Sequence, residues 1–111
     1  MSTLLPRDDD NQPIPVLRPK YEGAAHLSAG QVSVRTAGPF DPTTRVIRLY
    51  ATGSVTFQTG DSGVVATAVS HYLPAGTIDF VSLGNAKQRR HTHLAILAVD
   101  GNADVYISEL E

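Results

Sequence analysis

From Gly23 onward the chain never runs far without a turn-forming group, and no helical stripe of apolar residues develops between the breaks. The breaks fall at Ala37-Gly38-Pro39, Asp41-Pro42, Gly60-Asp61, Pro74-Ala75-Gly76, Gly84-Asn85 and Asp100-Gly101-Asn102. Glycine, asparagine and aspartate accept backbone conformations that other residues avoid, and proline removes a donor, so each group ends a regular element. The runs between them are rich in Val, Ile, Thr and aromatic residues, which suit a pleated, half-buried surface. They predict strands near 24–27, 31–37, 45–51, 54–58, 63–69, 78–83, 91–99 and 103–109.

Within these runs the side-chain period is two, so successive residues face opposite ways. Val32 and Val34 fall on one face of 31–37, and Val55 and Phe57 share a face while Ser54, Thr56 and Gln58 take the other. "HLAILAV", residues 93–99, is apolar on both faces, as a central strand with another layer over it would be. "VDGNADVYIS" holds the clearest hairpin signal, because Asp-Gly readily supplies positive φ. Eight short strands and no helix predict an all-β fold: a single eight-stranded sandwich, expected as a jelly roll, over residues 23–111. An immunoglobulin-like sandwich is the alternative, although the cysteine and tryptophan that mark antibody domains are both missing.

Residues 1–22 read differently. They hold four of the seven prolines and the acidic triplet Asp8, Asp9, Asp10. Proline restrains its own φ and pushes the preceding residue toward extended conformations, so "QPIPVLRPK" predicts an extended arm. Ile14, Val16 and Leu17 are apolar residues that a solubilising tail does not need, and they predict an arm that orders on a neighbouring subunit. The first fifteen residues contain no apolar leader, and no run approaches the length of a membrane span of about 18 residues. With nine Lys and Arg against eleven Asp and Glu, no global basic field marks a nucleic-acid binder. A chain without cysteine has no disulfide, thiolate nucleophile or Cys-based metal site. The expected setting is therefore soluble, made in the cytoplasm, with neither membrane nor nucleic acid as partner.

Three constellations could carry chemistry. "GDSG" at 60–63, with Ala24-Ala25-His26 upstream, matches words found around the serine and histidine of trypsin-like proteases. Such a site needs serine beside imidazole, an orienting carboxylate and oxyanion donors, and the trypsin-like fold builds it between two barrels, more than 111 residues can supply. Asp41 is the nearest third member, and it reads as a turn residue before Pro42. "GDSG" is accordingly expected to be a turn. His91 and His93, at i and i+2, would point to one side of a strand as two metal ligands do, with His71 as a possible third. Cupins use such a pair, but their following glutamate is replaced here by Leu94, Ala95, Ile96, Leu97 and Ala98. The expectation is no metal and no cofactor, with a cupin-like metal enzyme as the alternative. Finally, Lys87, Arg89, Arg90 and His91 form a basic loop, expected to contact protein, with the acidic triplet of a neighbouring copy as one partner. Tyr21, Tyr50, Tyr72 and Tyr106 are scattered along the chain and predict half-buried positions, with no sugar-binding platform.

From Val46 to the end the chain resembles small structural proteins of tailed bacteriophages. "VATAVSHYLPAGTIDFVSLG" (residues 65–84) and "HTHLAILAVDGNADVYISELE" (residues 91–111) carry the resemblance, together with the chain length. It looks in particular like the decoration, or cement, proteins on capsids of epsilon15-like short-tailed phages. That resemblance implies a jelly-roll virion protein on the capsid exterior, bound across major capsid protein subunits as a dimer or trimer, with no catalysis. A tail or baseplate accessory module is the nearest alternative. Under this reading the contact residues are Pro13, Ile14, Pro15, Val16, Leu17 and Arg18 of the arm, with Lys87, Arg89 and Arg90 of the basic loop.

Overall fold

The computed structural model, which describes residues 17–84 and 89–111, turns the alternating pattern into eight strands. They are β1 (Pro19–Ala29), β2 (Val34–Arg35), β3 (Val46–Ala51), β4 (Val55–Gly60), β5 (His71–Leu73), β6 (Ile78–Ser82), β7 (His93–Ala98) and β8 (Ala103–Leu110). Among the described residues there is no helix. Two four-stranded sheets form, in the orders β1-β8-β3-β6 and β2-β7-β4-β5. The antiparallel pairs β1·β8, β2·β7, β3·β6 and β4·β5 nest one inside the next, like a single long hairpin folded double. Pairing of β3 with β8 and of β4 with β7 then closes each sheet. That nesting is the jelly roll, and it replaces the immunoglobulin alternative, whose sheets follow another order.

The core lies between the sheets and follows the period of two. Ile47, Leu49 and Ala51 of β3 and Val105 and Ile107 of β8 face Val55 and Phe57 of β4 and Leu94 and Ile96 of β7. β7 is buried on both faces, as its sequence requires. Its outer face is covered by the segment 61–70. Ala66 of that segment is buried, its N–H donates to Ser33 Oγ at 2.9 Å, and Thr56 Oγ1 donates to Thr67 O at 2.9 Å.

That cover corrects one expected strand. Residues 63–69 are turns and irregular chain, and the ladder partner of β4 is His71–Leu73 instead. The reason is local competition by side chains for backbone groups. Asp61 Oδ1 accepts from Gly63 N at 2.9 Å and Val64 N donates to Asp61 O, so "GDSG" is a turn. Thr67 N donates to Ser70 Oγ at 2.9 Å while Ser70 N donates back to Thr67 O, which reverses the chain before it can extend. The strand expected over 31–37 also shortens to Val34–Arg35, leaving Val32 exposed outside it.

At the N-terminal side the sandwich begins earlier than expected. Pro19–Ala29 forms β1, so residues assigned by sequence to the arm lie in the sheet, and Arg18 exchanges both backbone hydrogen bonds with Glu111. Proline is tolerated as the first residue of an edge strand. Between Pro19 and Ala24 the register shifts: β1 advances five residues while β8 advances two. Glu22 takes φ 58° within that bulge, a conformation few non-glycine residues adopt. The turn at Asp100-Gly101 forms with Gly101 at φ 62°, but the expected hairpin does not: β7 and β8 lie in different sheets, so the turn carries the chain from one layer of the sandwich to the other.

Candidate functional site

Residues of β1, β8, β3 and β6 that point away from the core line up in register across the outer sheet. His26 lies opposite Tyr106, Tyr106 opposite Tyr50, and Tyr50 opposite Ile78. The next row toward the chain termini reads Ala24, Ser108, Arg48, Phe80. Three strand spacings of about 4.8 Å make each row about 14 Å wide. The His26 ring stacks on Tyr106 at 4.9 Å with 26° between planes, and Tyr50 tilts against Tyr106 at 6.5 Å. At the edge strand Ile78 and Phe80 are 53% and 61% exposed, and Tyr106 in the middle of the sheet is 49% exposed. Large apolar side chains grouped on one face, with polar neighbours around them, make this face the candidate site.

The polar neighbours are ordered by specific bonds. Asp104 Oδ1 accepts from Ser28 Oγ at 3.2 Å and lies 3.1 Å from His26 Nε2, which fixes the imidazole over Tyr106. Arg48 Nη2 donates to Ser108 Oγ at 3.3 Å. At the far end of the sheet, Glu109 Oε1 accepts from Thr44 Oγ1 at 2.6 Å and from Asp41 N at 2.8 Å. Asp41 in turn accepts from Thr43 N at 2.9 Å and Thr43 Oγ1 at 2.8 Å. The backbone and side-chain bonds from Thr43, with the Lys20 ammonium behind them, hold the Asp41 carboxyl below its ordinary value of 3.8.

The residues singled out from sequence are not brought together. Pro13, Ile14, Pro15, Val16 and Lys87 lie outside the described residues. Leu17 is exposed where the chain enters the body, and Arg18 pairs with Glu111 at 3.0 Å. Arg89 lies 4.0 Å from Asp61 at the surface, whereas Arg90 Nη1 donates to Thr44 O at 2.9 Å. His26 stands in one sheet and Ser62 in the turn after β4 of the other. His91 precedes β7, so strand alternation does not set its ring beside that of His93. His91 Nδ1 shares a 2.7 Å hydrogen bond with Thr59 Oγ1, and His93 Nδ1 shares one of 2.8 Å with Thr92 Oγ1. His71 tilts against Phe57 at 5.6 Å. Among the described residues, no three His, Cys, Asp or Glu side chains gather where they could hold a metal ion.

Tyr50, Tyr106 and Phe80 were missed as a group. The signal available was an aromatic residue at the solvent phase of two otherwise alternating strands, "VIRLYA" and "ADVYISEL". What sequence did not give was that β3 and β8 are neighbours.

No family model matches the chain, and no curated protein matches it. A solved structure, the solution NMR structure of a de novo designed double-stranded beta-helix, aligns with a TM-score of 0.48 at 13% identity, covering 79% of this chain and 97% of that one.

Proposed function

We propose that this chain is a bacteriophage virion structural protein: a capsid decoration protein that docks on the major capsid protein through the outer face of the β1-β8-β3-β6 sheet. The observation that carries the reading is the row His26, Tyr106, Tyr50, Ile78, with Phe80 beside it, exposed in register on one sheet face. Such a face suits another protein surface better than a sugar. Stacking of His26 on Tyr106 occupies a ring face that a pyranose would lie on. The resemblance of residues 46–111 to cement proteins supplies the kind of surface, and the proline-rich residues 1–16 supply a second attachment.

A decoration protein stabilises a shell by binding the assembled state and shifting its equilibrium by mass action. Many copies on a symmetric lattice turn modest individual contacts into firm attachment. The test is co-sedimentation with capsids of the encoding phage that lack this chain. Tyr106→Asp places a charge in the centre of the row without touching the core, and it is expected to leave the protein in the supernatant with its thermal stability nearly unchanged. A Tyr106→Asp protein that pellets as wild type does removes this face from the account.

A further inference from the structure

Among the described residues, the face carries one cation that no carboxylate of the protein neutralises. Arg48 sits between Ser108 and Phe80 in the row adjoining the aromatic one, and its Nη2 is bonded to the neutral Ser108 hydroxyl. Among the described residues, ion pairs join Arg18 to Glu111, Lys20 to Asp41, Arg89 to Asp61 and, when the imidazole is protonated, His26 to Asp104, and Arg48 is in none of them. On the same face the Asp104 carboxylate accepts from Ser28 Oγ and lies 3.1 Å from His26 Nε2.

Geometry makes this charge unavoidable for a partner. Arg48 and Tyr50 are two residues apart on β3 and share a face, a separation of about 7 Å. A protein that covers Tyr50, Tyr106 and Phe80 therefore covers the guanidinium too. Taking a cation out of water without a counter-charge is costly, while a carboxylate can engage the planar guanidinium through two parallel hydrogen bonds. Arginine flanked by aromatic residues is also the composition in which interface energy concentrates.

We infer that the partner presents a single Asp or Glu side chain, set in apolar surroundings, to Arg48, so the docking surface on the shell is an apolar protein patch with one carboxylate in it. This rests on the docking reading above. A phosphate polyanion fits less well, because the chain carries a net charge of −2 and the face offers a single unneutralised cation amid apolar side chains. A lone carboxylate matches that arrangement in both charge and size.

The experiment measures binding of wild type, Arg48→Gln, Arg48→Lys and Tyr106→Asp to undecorated capsids over a sodium chloride series, with single-stranded DNA as a second probe. Arg48→Gln is expected to weaken capsid binding by about thirtyfold or more and to flatten its salt dependence. Arg48→Lys, which keeps the charge and loses the two-pronged contact, is expected to fall between. If Arg48→Gln binds like wild type while Tyr106→Asp does not bind, the carboxylate inference is wrong and the docking face stands. If Tyr106→Asp still binds, the face itself is wrong and the inference falls with it. DNA binding by wild type that disappears in Arg48→Gln, without capsid binding, overturns both in favour of a polyanion.

Discussion

Single residues decide where this sandwich is firm and where it is available. At the closed end, Glu109 occupies an inward phase of β8 where an apolar residue would be expected, and it is tolerated because Thr44 and the Asp41 backbone both donate to it. Asp41 holds that turn in shape, and its lowered pKa has a consequence for folding. A carboxyl that is more acidic in the folded state adds stability above its unfolded value of 3.8, and that contribution is lost as pH falls through the folded value. Denaturant midpoints of wild type and Asp41→Asn should therefore differ at neutral pH, and the difference should close on acidification below 3.8. A gap that persists to the lowest accessible pH would mean that Asp41 acts through shape alone. On the outer face the opposite logic holds. Cross-strand pairs such as Tyr50 with Tyr106 contribute only about 0.2–1 kcal/mol each to the sheet, and both rings stay partly exposed.

At the scale of elements, the segment 61–70 behaves as a lid fixed over β7 and not as a strand. Its attachment runs through Thr56 Oγ1, which is buried beneath it. Thr56→Val keeps the shape and removes that donor, and is expected to cost about 1 kcal/mol. Val69 is almost fully exposed, so Val69→Lys should change stability by no more than about 0.5 kcal/mol. Urea unfolding of both variants checks the pair, and the reverse order would place 63–69 in a ladder after all. The contrast shows what sequence carries. β3, β4 and β8 were legible because burial enforces alternation along them, and the Asp100-Gly101 turn because its φ demands are local. Residues 63–69 misled because Val64, Val65 and Val69 have strand propensity while Thr67 and Ser70 spend their hydroxyls on the backbone. β1 was read too short because Pro19 suggests an arm, and only its pairing with Leu110 places it in the sheet.

For the whole molecule, strand order is the information that alternation cannot supply, and here it makes the site. Tyr50 and Tyr106 are distant in sequence, and the nesting of β8 between β1 and β3 brings them to 6.5 Å. The same nesting fixes where the body starts. Arg18 is hydrogen-bonded to Glu111 and Pro19 opens β1, so removal of residues 1–16 should leave the sandwich folded and reduce its hold on a shell. Under the proposed docking, one sheet face of the jelly roll lies against a capsid. A cryo-electron microscopy map of capsids decorated with this chain measures that orientation directly. Tyr50, Tyr106 and Phe80 are expected against the shell, with an acidic side chain of the major capsid protein at Arg48. A map in which that face points to solvent, and the β2-β7-β4-β5 sheet or the segment 61–70 meets the shell, would contradict it.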